Sequence, residues 1–380
     1  MTDQQKINSF DIGPYRPPSE AYSLLIRATI NCPWNRCRFC NMYKGAKFQL
    51  RTVDEIKQDI EQAKTIQDKI VELARDSGGS IEEAAAAVLR SSTSHSIGNV
   101  ALWLYGGGEN AFLQDANSLV MRTVELADII RFLRTTLPTI KRVTSYGRSK
   151  TAAKKTPEEM AELKEAGLSR IHIGLETGYD PLLEYMDKGV TATEEIAGGR
   201  RVVESGISLC EYVLLGLGGK KMWREHAIET ARVLNEINPD FIRIRTLRLN
   251  SRIPLLDEIE KGNFTRLTDE ETVEEERLLI ENLECTSNFV SDHISNLLQE
   301  VEGKLPEDKG KMLAIIDEFR ALSPEEKINF RVGRRMGIYV RLDDLQNPGK
   351  RQSVNDVLQR LKRAGRQIDE AIDTLVEGYL

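Results

Sequence analysis

The chain has 380 residues, 40% of them hydrophobic and 29% charged, with a formal net charge of −6. Such usage is ordinary for a globular protein able to bury a core, either as one large domain or as a large domain with an appendage. No apolar run approaches the roughly 20 residues of a membrane span, and the opening MTDQQKINSFDIGPYRPPSE lacks the basic and apolar stretches of a secretory signal or transit peptide, so no membrane partner and a cytoplasmic location are expected.

Residues 1–20 read as an N-terminal extended arm, restricted by the prolines of PYRPPSE. From residue 21 to 250, short β-rich runs alternate with amphipathic stretches, the pattern of β/α units around a parallel sheet. The predicted strands are Tyr22–Ile30, Val100–Tyr105, Arg142–Tyr146, Arg170–Gly174, Ser208–Leu215 and Phe241–Leu247. The long connection after the first holds predicted helices over Val53–Arg75 and Ile81–Arg90, then a polar loop at 91–96. Six units are too few for a closed eightfold barrel. The expected fold class is α/β, an incomplete (β/α)6 TIM-like barrel, followed by a C-terminal mainly helical region over 251–380. Near its end, Ser353 and Asp356 read as a capping box, with an apolar face of Val354, Val357, Leu358 and Leu361.

That last region is electrostatically divided: residues 254–326 carry 20 acidic and 7 basic side chains, residues 327–366 only 3 acidic and 11 basic. Arg331, Arg334, Arg335, Arg341, Lys350 and Arg351 could neutralise RNA phosphates, with Phe330 and Tyr339 stacking on bases. Pairing between the two segments would consume the same charge internally. The favoured substrate is therefore a small molecule, and RNA is the alternative.

Five cysteines are present, and three follow the first predicted strand as Cys32-x4-Cys37-x2-Cys40. An odd total in a reducing compartment argues against disulfides. Three thiolates satisfy three irons of a [4Fe–4S] cube and leave the fourth open, whereas structural zinc takes four protein ligands. His95, His172, His226 and His293 are all remote in sequence. The alternative is zinc completed by one of them, in a non-catalytic interaction protein. Cys210 and Cys285 could serve as a hydrogen-atom donor or extra ligands, but buried free cysteine is the commoner role.

Further motifs follow in order: Gly107, Gly108 and Glu109 in LWLYGGGEN, Arg148 in VTSYGRSK, Glu176 in IHIGLETGYD, and Gly216, Gly218 and Gly219 in EYVLLGLGGK. The first is expected to end the second strand, where glycines admit a ligand close to the backbone and a carboxylate can accept from an ammonium.

Over residues 21–250 the chain resembles the radical S-adenosylmethionine superfamily, whose usual motif has three residues in the first cysteine gap and an aromatic before the third cysteine. Phe39 supplies the aromatic, and the first gap here has four residues. The resemblance implies reductive cleavage of S-adenosylmethionine at a [4Fe–4S] cluster held by Cys32, Cys37 and Cys40, yielding a 5′-deoxyadenosyl radical that abstracts hydrogen from a substrate. It also implies an electron donor such as flavodoxin or ferredoxin. Gly107, Gly108 and Glu109 would then hold the methionine ammonium, Arg148 the carboxylate or ribose, and Glu176 the ribose hydroxyls, while Gly216, Gly218 and Gly219 would either pass close to the adenine or turn the chain into the next helix. The subgroup stays unassigned. Met42 stands where the anaerobic coproporphyrinogen oxidase branch carries an extra cysteine.

Overall fold

The computed structural model describes residues 9–249, 253–365, 367 and 371–372. The elements in chain order are β1 (Leu24–Arg27), β2 (Thr29–Ile30), β3 (Gln49–Leu50), α1 (Val53–Ser77), α2 (Ile81–Ser91), α3 (His95–Tyr105), β4 (Asn110–Gln114) and α4 (Thr123–Thr136). Then come β5 (Arg142–Gly147), α5 (Ser149–Ala152), α6 (Pro157–Ala166), β6 (Leu168–Glu176), α7 (Asp180–Tyr185), α8 (Ala192–Glu204), β7 (Ser208–Leu215), α9 (Gly219–Ile237) and β8 (Phe241–Thr246). The remainder is α10 (Leu255–Glu260), α11 (Asp269–Asn282), β9 (Asn288–Val290), β10 (Gly303–Lys304), α12 (Lys309–Ala321), α13 (Pro324–Arg335) and α14 (Pro348–Arg363). The fold class is the expected one: α/β, of the incomplete (β/α)6 barrel type, with a mainly helical C-terminal region. No helix among the described residues is long and apolar enough to cross a membrane.

Two compact units divide the chain, one formed by residues 1–35, 45–173 and 197–209, the other by 36–44, 174–196 and 210–380. In the first, β1, β4, β5 and the start of β6 run parallel in that order, with Leu24 opposite Ala111, Ala111 opposite Val143 and Ser145 opposite Ile171. Their apolar residues are fully buried: Leu24, Ile26, Phe112, Val143 and Ile171. Helix α1 starts at a capping box of Thr52 and Glu55, ends at left-handed Gly78, and buries Ile56, Ile60, Ala63, Ile66 and Ile70 on one stripe. Each of these isoleucines contributes about 1.5–3 kcal/mol by leaving water.

In the second unit β7 and β8 pair in parallel from Cys210 opposite Phe241 to Leu215 opposite Thr246. Sequence periodicity beyond residue 265 predicts only helices, but β9 adds in parallel to β8, with Ile242 opposite Phe289, and β10 pairs antiparallel to β9. These strands are only two or three residues long, too short to show alternation. The capping box expected at Ser353 is absent. Asn347 caps α14 with Pro348 in the first turn, and Ser353 sits mid-helix, donating to the Gly349 carbonyl. Val354 is fully buried as expected. The expected boundary at residues 250 and 251, and the first eight residues of the expected arm, lie outside the described residues.

The second predicted strand needs correction. Val100–Tyr105 is the end of helix α3, and the strand is Asn110–Gln114. A six-residue apolar run carries no periodicity that separates the two. The buried positions Ser96, Asn99, Val100, Trp103 and Leu104 recur at helical spacing once His95 is included. Gly106, Gly107 and Gly108 then stop the helix: Gly108, at φ 68°, donates its N–H to the Trp103 carbonyl, and Gly107, at φ 95°, to that of Leu104.

The opposed charges of the C-terminal region meet inside the second unit. Asp269, at the start of α11, binds Arg335 at 2.7 Å, Arg331 at 3.2 Å and Arg248 at 3.3 Å, and Arg334 donates to the Leu297 carbonyl at 3.1 Å. Lys327 pairs with Glu270 at 3.3 Å. Phe330 and Tyr339, expected as base-stacking platforms, are fully buried and stack on one another with centroids 6.0 Å apart. The expectation of internal pairing thus describes these arginines, and the stacking role is corrected.

Candidate active site

In the first unit the cysteine loop leaves β2 at Asn31, whose left-handed φ of 65° an asparagine tolerates. The Asn31 N–H donates to Asp115 Oδ2 at 2.9 Å, and its side chain donates to the Lys47 carbonyl at 2.7 Å. Asn35, at φ 49°, donates its N–H to Cys32 Sγ at 3.3 Å and its amide to the Ala46 carbonyl at 3.2 Å. Arg27 clamps Asp115 at 2.8 Å. Arg148, just past the end of β5, lies with its guanidinium 5.2 Å from the centre of the Trp34 ring, so this predicted site residue does reach the cysteine loop.

Asp115 itself went unrecognised in the sequence. It opens the turn Asp115–Ser118 at the C-terminal end of β4, and it is buried. Among the described residues, Asp115 Oδ1, Asn117 Oδ1 and Ser118 Oγ have no hydrogen-bond partner. Gln114 binds the arm, accepting from the Gly13 N–H and donating to the Gly13 and Tyr15 carbonyls at 2.7–2.9 Å.

Gly107, Gly108 and Glu109 lie elsewhere. They precede β4, at the end of the parallel β1 and β4 opposite to that from which the cysteine loop emerges. Glu109 is half-exposed, paired with Lys141, and its carbonyl accepts from Lys141 and Arg142. The misplaced strand moved the motif from the N-terminal to the C-terminal end. Had Asn110–Gln114 been read as the strand, the Asp-Ala-Asn-Ser turn would have stood out as the polar segment after it.

In the second unit, residues 36–40 are fastened by their backbone. The Arg38 N–H donates to the Met186 carbonyl at 2.9 Å, the Arg38 carbonyl accepts from Leu255 at 3.0 Å, and Cys40 donates to the Cys37 carbonyl at 3.3 Å. Arg36 pairs with Asp187 at 3.1 Å. Phe39 packs on an apolar cluster that includes Leu182, Met186, Leu217, Leu247, Leu255 and Phe264. Cys32, Cys37 and Cys40 are each half-buried, whereas Cys210 and Cys285 are 1% and 4% exposed. Among the described residues no three His, Cys, Asp or Glu side chains converge on a single-ion position.

Glu176 ends β6 in a left-handed conformation, φ 63°, and burial raises its carboxyl against the opposing pull of Lys188 and Arg245. The Glu176 carboxylate lies against the Cα of Gly174, so a side chain there would displace it. Nearby, burial and the neighbouring Glu195 push the Glu211 carboxyl well above its ordinary range. Thr177, next to Glu176, is held by His226 Nδ1 at 2.8 Å, and burial lowers that imidazole to about 4. Gly216 donates its N–H to Glu275 Oε2 at 2.5 Å.

Burial drives both Glu275 and Glu276 up to about 8. A carboxyl raised on folding contributes stability that is complete below its unfolded pKa, near 4.5, and is lost as pH rises through about 8. Thermal melts should therefore show stability falling between pH 5 and 8, by up to about 1.4 kcal/mol per pH unit for each group. Glu276→Gln should flatten that slope, and an unchanged slope would show that Glu276 is ionised in the folded chain.

The sequence model of the Radical SAM superfamily matches residues 26–231, more than half of the chain. The chain belongs to the radical SAM superfamily. Members of this superfamily are enzymes that use a [4Fe–4S] cluster and S-adenosylmethionine. Among curated proteins, the tRNA uridine(34) acetyltransferase of Methanocaldococcus jannaschii is 21% identical over 118 residues, 31% of this chain and 22% of that protein. The chain thus spans about a fifth of the length of that relative. Similar solved structures include the radical S-adenosylmethionine methyltransferase TsrM of Kitasatospora setae, with 17% identity, a TM-score of 0.42, and coverage of 62% of this chain and 36% of TsrM. Another is coproporphyrinogen III oxidase of Escherichia coli, with 12% identity, a TM-score of 0.43, and coverage of 69% and 54%.

Proposed function

We propose that this radical SAM enzyme cleaves S-adenosylmethionine reductively to methionine and 5′-deoxyadenosine, removing hydrogen from a small-molecule substrate, with residues 21–250 as the catalytic core. Cys32, Cys37 and Cys40 would hold the cluster, which when bound supplies the electron for C–S cleavage. An electron donor such as flavodoxin or ferredoxin would reload it. The carrying observation is the turn Asp115–Ser118, tied to the cysteine loop by the Asn31 N–H, with three buried oxygens unclaimed among the described residues. Unclaimed acceptors fit a ligand bearing an ammonium, because a buried acceptor without a donor is costly. We therefore move the ammonium-binding role from Gly107, Gly108 and Glu109 to Asp115 and Asn117. Arg148 stays as the group for the carboxylate or ribose, Glu176 for ribose hydroxyls, and Phe39 as the aromatic support of the loop.

RNA as substrate has one observation in its favour, the limited match to a tRNA-modifying protein. Against it stand Arg331, Arg334 and Arg335, which are buried and spend their donors on Asp269 and on backbone carbonyls.

Equilibrium dialysis of S-adenosylmethionine under anaerobic conditions tests the cofactor assignment. Asn117→Ala and Asp115→Asn should weaken binding by roughly tenfold or more, the value of one charge-assisted hydrogen bond of about 1.5–3 kcal/mol. Glu109→Ala should bind like the wild type. The opposite ranking would restore the glycine motif as the ammonium site.

A further inference from the structure

In the first unit the arm reaches the C-terminal end of β4 and is fastened there. Gln114, the last residue of β4, is fully buried and gives both ends of its side-chain amide to the arm. Its Oε1 accepts from the Gly13 N–H at 2.9 Å, and its Nε2 donates to the Gly13 and Tyr15 carbonyls at 2.9 and 2.7 Å. Phe10 is buried, and its N–H donates to Ser96 Oγ at 3.4 Å. Asp11 binds Arg27 Nη1 at 2.7 Å. Lifting the arm would strip the buried Gln114 amide of these partners, so the arm is a seated part of the first unit.

The arm closes on Asp115. Arg27 holds Asp115 Oδ2 through Nε at 3.0 Å and Nη2 at 2.8 Å, and the Asn31 N–H donates to the same oxygen at 2.9 Å. The other oxygen, Oδ1, is buried, has no hydrogen-bond partner among the described residues, and lies against Gly13. A Cβ at residue 13 would collide with Oδ1 and stand 3.2 Å from the Asp115 carboxyl carbon and 3.3 Å from the Gln114 amide carbon. A loose carboxylate would swing aside, but this one is clamped at Oδ2 by Arg27 and Asn31. Either Asp115 must leave its clamp or the arm must lift, so glycine at this position lets the arm backbone sit on an undisturbed Asp115. Arg27 is shared by two carboxylates, Asp11 and Asp115, and one guanidinium does not neutralise both.

We propose that arm residues 11–15 form one wall of the site for the ammonium of S-adenosylmethionine, with Gly13 as the residue that sets the wall against Asp115 Oδ1. The inference rests on reading Asp115 and Asn117 as the ammonium-binding groups. The arm keeps bulk water from Oδ1, where a charge-assisted hydrogen bond is stronger for being dry. A side chain at residue 13 would take the place beside Oδ1 that an ammonium donor needs. Asp11 is a positioning residue, since it joins the arm to the clamp on Oδ2 through Arg27.

The test is equilibrium dialysis of two probes against the anaerobically purified full chain. S-adenosylhomocysteine carries the amino-acid ammonium, and 5′-methylthioadenosine has the same nucleoside and thioether without it. Gly13→Ala should weaken S-adenosylhomocysteine binding about tenfold or more and leave methylthioadenosine binding unchanged. Thermal melts and iron per chain verify that the variant is folded and loaded. Wild-type affinity for S-adenosylhomocysteine overturns the proposal. Equal weakening of both probes does so too, because it marks general damage, and tighter binding would make the arm a plug over the site. Hydrogen exchange needs no substitution: saturating S-adenosylhomocysteine should slow exchange of the Gly13 amide in the wild type about tenfold or more, and an unchanged rate counts against the wall. Asp115→Asn dialysed in parallel keeps the two readings apart. Loss of affinity in Asp115→Asn with wild-type affinity in Gly13→Ala refutes the arm alone, whereas wild-type affinity in Asp115→Asn refutes the ammonium reading itself.

Discussion

Cys37→Ala, purified without oxygen, will lose its iron, falling from about four atoms per chain in the wild type to near zero. A cube held by three thiolates has no spare protein ligand, so removal of one sulfur leaves an iron open to solvent and the cluster to disassembly. Cys40→Ala and Cys32→Ala should behave alike. Cys285→Ala should keep its iron, because Cys285 is a buried thiol that packs as a small apolar side chain. The structure favours this outcome over general unfolding. Residues 36–40 are fastened by backbone hydrogen bonds to Met186 and Leu255 and by Phe39 in its apolar cluster, none of which involves a thiolate. The measurement is iron and acid-labile sulfide per chain, with circular dichroism for the fold. A wild-type chain carrying one zinc and no sulfide would sink the radical reading.

Asp269→Ala should destabilise the chain by about 3–5 kcal/mol, the cost of removing one partner from a buried ion pair. Arg248, Arg331 and Arg335 all converge on that carboxylate, and none is more than 9% exposed at its side chain except Arg331 at 10%. The remaining guanidinium groups would repel one another in a medium that screens them poorly. The pH dependence follows from the depressed carboxyl. Its contribution is complete above the unfolded pKa, near 3.8, and is lost as pH falls through the lower folded value. Urea titrations at pH 7 should show the full loss, and near pH 2 the difference between wild type and variant should shrink. A difference that holds at low pH would mean that Asp269 acts through packing and not through charge.

Much of this protein was legible in its residues because the relevant signals are local. The spacing of Cys32, Cys37 and Cys40 is a property of nine consecutive residues, and the periodicity of Val53–Arg75 is a property of one helix face. Five of the six predicted strands coincide with observed ones for the same reason: alternation and β-branched residues act within a strand. The run Val100–Tyr105 fails that criterion, since six apolar residues bury equally well in either geometry, and the error displaced the glycine motif from one end of β4 to the other.

What only the tertiary structure decided is which distant residues meet. Asp115 becomes a candidate ligand group because the Asn31 N–H and Arg27 close on it from 84 and 88 residues away. The basic segment of α13 looks like a nucleic-acid surface in sequence and turns inward because Asp269, more than 60 residues earlier, supplies its counter-charge. Composition and periodicity record how each segment will fold, but a site assembled from separate strand ends and helices exists only once long-range packing has brought them together.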